Sequence, residues 1–144
     1  MIFRKWLISD NKEISFLEEK YFKDPWSVAM LDASVKGNGF VGYVAVEYDK
    51  ICGYIGADYC FEVADILLVA VDENFRRKGV ATKLFEKVET ELKENGVERI
   101  MLEVRKSNFA AQNCYAKLGF KVIAVREKYY QYTEDALIME KKII

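Results

Sequence analysis

Arg76, Arg77 and Lys78 stand in a row directly before Gly79, and Val80, Ala81 and Thr82 open the amphipathic run that follows. The first amides of a helix are unpaired and its N-terminus carries partial positive charge, so cations there are unfavourable unless an anion is held among them. The chemistry this spacing offers is anion binding. Backbone amides, helix dipole and side chains would attract a phosphate group together. The patterns GxxxxGK[ST] and GxGxxG are both missing, so the turn belongs to neither familiar phosphate loop. On these residues alone, a solvated basic loop with Gly79 serving only the turn stands beside the phosphate reading.

A second constraint is negative. The chain has no histidine. Ser–His and Cys–His nucleophile pairs and the usual histidine-containing zinc sites are thereby excluded. Any acid or base must be a carboxylate, Tyr, Lys, Cys, a terminus or water. On a strand, Glu103 shares a face with Met101 and Arg105, one side of an otherwise apolar run. From position alone it reads as a carboxylate paired with Arg105 or another cation. Tyr115 falls on a helical stripe with Ala111 and Leu118, which by itself reads as core packing.

The bulk numbers narrow the field. The 144 residues carry 22 basic and 23 acidic side chains, a net charge of −1. That argues against a nucleic-acid module and makes a local basic cluster informative. Hydrophobic residues make up 51% and there is one proline, the composition of a globular chain of one domain, 1–144. Cys52, Cys60 and Cys114 form no CxxC pair. Free thiols in a reducing, cytoplasmic setting are expected, with Cys114 buried and inert. The segment MIFRKWLISD holds no long apolar run, so no signal peptide is expected, and no stretch approaches the roughly 18 apolar residues of a membrane span.

The elements that must position these residues follow from periodicity. Residues 2–6 read as a strand. Ser9 is expected to cap a helix through Ile14, Leu17 and Tyr21, and Ser27 a second, short one ended by Gly37 and Gly39. Residues 40–48 and 51–61 read as strands joined at Asp49-Lys50. Residues 64–71 contain the run ILLVAV, expected of a central strand buried on both faces. After the basic turn, Val80, Leu84, Phe85, Val88 and Leu92 make a helical stripe ending at Asn95-Gly96. Residues 99–105 form a strand, and Ser107 or Asn108 caps a helix ended by Gly119. Residues 120–126 and 136–143 close the chain. The order is β-α-α-β-β-β-α-β-α-β-β, an α/β domain on a mixed sheet.

The stretch from Arg76 to Ala81 resembles the R/Q-x-x-G-x-G/A signature of the Gcn5-related N-acetyltransferases, with Ala81 in place of the second glycine. LEVRKSNFAAQNCYAKLGF, residues 102–120, is similar to that family's second half. Details resemble its RimI-like branch, which acetylates protein N-termini: Pro25-Trp26-Ser27, Glu103-Val104-Arg105 with Ser107-Asn108, and Tyr129-Tyr130 with Glu134-Asp135-Ala136. Leu68 departs from the branch, which often has Asn there. The resemblance implies a seven-stranded mixed, mostly antiparallel sheet flanked by about four helices and splayed between its fourth and fifth strands.

The resemblance also implies roles. Acetyl-coenzyme A would be the co-substrate, with no metal. Its pyrophosphate would lie on Arg76, Arg77, Lys78, Gly79, Val80, Ala81 and Thr82. Its pantetheine arm would run along Val69, Ala70 and Val71, with Asn108 in contact. Lys117 reads as an exposed helix lysine. Glu103 would be the base and Tyr115 the acid, and Tyr129, Tyr130, Glu134 and Asp135 would shape the acceptor slot. The implied acceptor is the α-amine of a protein, the N-terminal alanine of a small-subunit ribosomal protein. A small amine or a protein lysine as acceptor, or a non-catalytic sensor of acetyl-coenzyme A, are the competing readings.

Overall fold

The computed structural model describes residues 1–128 and 134–144 in full, and 129 and 130 by their strand assignment alone. Among the described residues there are seven strands and four α-helices. In chain order they are β1 (Ile2–Lys5), α1 (Asn11–Tyr21), α2 (Val28–Val35), β2 (Phe40–Glu47), β3 (Lys50–Cys60), β4 (Val63–Val71), α3 (Val80–Glu94), β5 (Arg99–Arg105), α4 (Phe109–Lys117), β6 (Lys121–Tyr130) and β7 (Glu134–Lys142). The strands form one sheet in the order β1-β2-β3-β4-β5-β7-β6. Every neighbouring pair is antiparallel except β4 and β5, which are parallel.

Two apolar layers cover the sheet. On one face α3 lays down Val80, Leu84, Phe85, Val88 and Leu92 against Val41, Ile55, Ile100, Leu102 and Val104. On the other, Ile14 of α1 and Leu31 of α2 pack with Trp6, Val44, Tyr54 and Leu68. Leu84, Val88, Leu92, Ile14 and Tyr54 are fully buried. A single Leu→Ala change in such a layer costs about 2–5 kcal/mol.

The local signals hold in several places and fail in others. Ser27 caps α2, its Oγ accepting from Met30 N–H at 3.2 Å. Ser9 does not cap α1. It sits inside a 3-10 turn, Ile8–Asp10, and the Asp10 carboxylate is taken by Leu7 N–H at 2.7 Å and by both Arg4 terminal nitrogens at 2.9 Å. The β2–β3 turn is Tyr48-Asp49, one residue earlier than the turn read from sequence. Both residues have positive φ, 52° and 61°, the twist a two-residue hairpin requires.

The run ILLVAV is not a flat strand buried on both faces. Leu68 pairs with Gly56 and Ile66 with Ala57, which leaves Leu67 as a bulge. Ile66, Val69 and Val71 pack toward α3, whereas Leu67, Leu68 and Ala70 pack toward α1 and α2. Beyond the bulge β4 also loses its second neighbour. Its pairing with β5 covers only Val63, Ala64 and Asp65, opposite Arg99, Ile100 and Met101. From there the two strands diverge, and the far end of β4 is only partly buried because it borders a gap.

Candidate active site

The gap is a cleft of about 460 Å³ between residues 66–69 of β4 and residues 102–105 of β5. It opens to both faces of the sheet. Tyr21, Asp24 and Trp26 line it from the α1–α2 side, and Asn108, Ala111 and Tyr115 from the α4 side.

The edge of β4 supplies backbone groups to this cleft. Asp72 N–H donates to Cys52 O at 2.8 Å, and Gly53 lies opposite Val71. Bonded and non-bonded pairs alternate along an antiparallel ladder. Val71 and Val69 therefore turn their N–H and C=O toward the gap, while Ala70 directs its own to Tyr54 of β3. Arg76 Nε donates to Val71 O at 3.1 Å, which ties the basic turn back to the strand end.

The turn has the form of an anion cradle. Arg77 and Gly79 both take the left-handed conformation, φ 62° and 76°. A Cβ placed on Gly79 would meet no atom within 4 Å. Glycine is thus present for its φ, and the approach to the helix start is open. The first helical bond of α3 runs from Lys83 N–H to Gly79 O at 3.0 Å, so the amides of Val80, Ala81 and Thr82 precede the helical ladder. Lys78 Nζ lies 5.4 Å from the centre of the Phe75 ring.

Glu103 and Tyr115 come to the cleft from opposite faces of the sheet. Leu102 and Val104 belong to the layer under α3, so strand alternation turns Glu103 and Arg105 to the α1 side. Glu103 is a third exposed and pairs with Arg126 Nη1 of β6 at 3.0 Å. It is paired as position alone suggested, but with a residue of another strand. Tyr115 lies on the α3 side, its ring edge-on to Phe85 at 6.0 Å and Phe120 at 6.2 Å. It is both a stripe residue and a cleft residue. Asn108 caps α4, accepting from Ala111 N–H at 3.1 Å, and lines the cleft as well.

The closing hairpin contributes less openly. Glu134 accepts Ser107 N–H at 2.8 Å and lies 3.3 Å from Arg105 Nη1, and those partners hold its carboxyl below its ordinary range, Ser107 first. Asp135 accepts Lys128 N–H at 2.8 Å and does not line the cleft. The side chains of Tyr129 and Tyr130 lie outside the described residues. Cys114 is half-buried, and burial pushes its thiol up, away from the thiolate a nucleophile needs. Lys117 is exposed.

Sequence reading missed four cleft-associated groups. Glu18 is buried on the cleft floor, accepting Tyr54 O–H at 2.5 Å and Trp26 N–H at 3.3 Å; burial raises its carboxyl while the Tyr54 bond opposes the rise. Tyr21 donates to Asp72, Asp24 lies 3.8 Å from Arg105, and Arg126 pairs with Glu103. Apart from the Trp26–Glu18 bond, each contact joins residues at least 23 positions apart. No local spacing announces them.

A turn of open amides and cations beside an unpaired strand edge can hold a diphosphate and an extended amide-bearing chain. The carboxylate and the phenol are then within the same gap. Residues 5–120 match the acetyltransferase (GNAT) family, and the chain belongs to it. It is an acetyl-coenzyme A-dependent N-acetyltransferase. Among its relatives, the [ribosomal protein bS18]-alanine N-acetyltransferase of Escherichia coli (strain K12) is 32% identical over 126 residues, 85% of this chain and 84% of that protein. The crystal structure of the ribosomal-protein-S18-alanine N-acetyltransferase from Escherichia coli superposes with a TM-score of 0.88 at 30% identity, covering 99% of this chain and 93% of that one. Ard1 from Thermoplasma volcanium superposes with a TM-score of 0.90 at 26% identity, over 99% and 97%. Among the described residues no group of three or more His, Cys, Asp or Glu side chains is placed to hold a metal, and no helix is long and apolar enough to cross a membrane.

Proposed function

We propose that the chain acetylates the α-amine of a protein N-terminus, the N-terminal alanine of a small-subunit ribosomal protein, in the cytoplasm. The observation that carries this reading is the two-sided cleft, with Glu103 entering from the α1 side and Tyr115 from the α4 side of one gap. The pyrophosphate of acetyl-coenzyme A lies on residues 76–82, and the pantetheine arm runs along Val69 to Val71 past Asn108. The acceptor enters between α1 and the closing hairpin, where Glu134 shapes the slot.

The amine nitrogen attacks the thioester carbonyl carbon, and a C–N bond forms as the C–S bond breaks. Glu103 takes the amine proton, directly or through water, and Tyr115 gives its phenolic proton to the departing sulfur. An N–H of the β4 edge at Val69 polarises the carbonyl oxygen. A protein α-amine has a pKa near 7.7–8.0, so about a tenth is neutral at pH 7, against below about a thousandth for lysine. A weak carboxylate base suffices for the first acceptor. The ribosomal-alanine activity of the Escherichia coli relative supports the choice.

The test is acetyl transfer to peptides beginning with Ala, beside a lysine peptide blocked at its terminus. Transfer to the Ala peptides is expected. Transfer to the blocked control alone would assign a lysine-type acceptor, and coenzyme binding without thiol release under any acceptor would assign a sensor.

A further inference from the structure

Four contacts converge on Asp72, where β4 ends and the basic turn begins. Its Oδ1 accepts Asn74 N–H at 3.0 Å, which fixes the carboxylate to the turn leading to Gly79. Its Oδ2 accepts Tyr21 O–H at 2.5 Å, with Lys20 Nζ 3.8 Å away. Its own N–H is bound to Cys52 O of β3. The Tyr21 hydroxyl, the Asn74 amide and then Lys20 and Arg76 hold the Asp72 carboxyl below its ordinary range, so it is an anion and a strong acceptor.

Tyr21 is the last residue of α1 and lines the cleft with Phe22, Asp24 and Trp26. This segment is the acceptor-side wall. It is anchored at both ends. Trp26 is held by Ser15 Oγ, which donates to its carbonyl at 2.9 Å, and by Glu18. Those partners belong to α1. The anchor at Tyr21 is different, because its partner belongs to the turn that begins α3.

We propose that Tyr21 is a positioning residue that transmits occupancy of the basic turn to the acceptor wall, so that bound coenzyme tightens the binding of acceptor. This rests on the reading of residues 76–82 as the coenzyme site. A diphosphate drawn into the turn recruits Arg76, whose Nε holds Val71 O, and orders the amides after Gly79. Asp72 lies between Val71 and the turn and is bonded to both. Its carboxylate cannot reorient without carrying or breaking the Tyr21 bond. Reciprocity then requires the acceptor to tighten coenzyme binding by the same factor.

The experiment is amide hydrogen exchange over residues 21–27, with and without unacetylated coenzyme A, in the wild-type chain and in Tyr21→Phe. In the wild type, coenzyme A is expected to slow exchange there on the order of fivefold or more. In Tyr21→Phe the slowing is lost while coenzyme A affinity stays within about twofold of wild type. As a second readout, the dissociation constant of an Ala-starting peptide falls on adding coenzyme A in the wild type and is insensitive to it in the variant. Equal slowing in both chains, no slowing in the wild type, or loss of coenzyme A affinity in the variant overturns the proposal. The exchange arm uses no acceptor. Failure of the peptide to bind the wild type therefore speaks against the N-terminal acceptor, whereas coenzyme A binding without protection speaks against the relay.

Discussion

Arg126 Nη1 of β6 stands 3.0 Å from Glu103 Oε1 of β5, with β7 running between the two strands. The pair is partly open to solvent, and such pairs contribute at most about 1 kcal/mol to stability. Its consequence is geometric, because Arg126 holds the carboxylate on the acceptor side of the cleft. Glu103→Gln should lower kcat by roughly 10²–10⁴-fold with coenzyme affinity intact. Thiol release under saturating substrates measures it, and an unchanged rate removes Glu103 from the chemistry. Arg126→Ala should leave unfolding within about 1 kcal/mol of wild type while lowering kcat/KM, as read by urea melts beside the same assay.

The basic turn makes a salt-dependent prediction. Replacing Arg77 and Lys78 together by alanine should weaken coenzyme A binding on the order of tenfold or more at low salt. The gap between variant and wild type should narrow as salt rises, because exposed charges are screened. Calorimetric titration at two ionic strengths checks it. Equal affinity in variant and wild type would place the phosphates on backbone amides alone.

Gly79 is open to substitution in space but not in conformation. Its φ of 76° costs a residue with a Cβ about 1–2 kcal/mol. Gly79→Ala should therefore weaken coenzyme binding with the fold retained. Circular dichroism and the same titration distinguish this from general unfolding.

The Tyr21–Asp72 bond makes stability depend on pH in a defined direction. Asp72 has a depressed folded-state pKa, chiefly through the Tyr21 hydroxyl. A group depressed in the folded state contributes stability above its unfolded pKa, near 3.9 for Asp, and loses it as pH falls through the folded value. The stability difference between wild type and Tyr21→Phe should be full at pH 6 and shrink below about pH 4. Urea unfolding at pH 6 and pH 3 measures it. A difference unchanged with pH would mean the hydroxyl acts without the carboxylate's charge.

Much of the fold was legible because its causes are local. The α3 stripe, the bounds of β5 and the caps at Ser27 and Asn108 each depend on residues within one or two turns of one another. Where a distant partner intervened, local reading failed. Asp10 turned to Arg4 and Leu7 and displaced the expected cap at Ser9. The bulge at Leu67 reversed which β4 residues face α3, because the register with β3 slips at Gly56 and Ala57.

The same division runs through the site. Arg76 to Thr82 could be read as an anion turn from order alone, since dipole, open amides and left-handed glycine are all properties of a short consecutive segment. Residue order also set Glu103 and Arg105 on one strand face, since alternation has a period of two. Which charges meet them was decided in three dimensions. Arg126, Asp24 and Glu134 arrive from two strands and a loop that sequence order keeps apart. The cleft itself is wholly tertiary. It exists because β4 and β5 share three pairs of residues and then diverge, and no periodicity within either strand encodes the distance to the other.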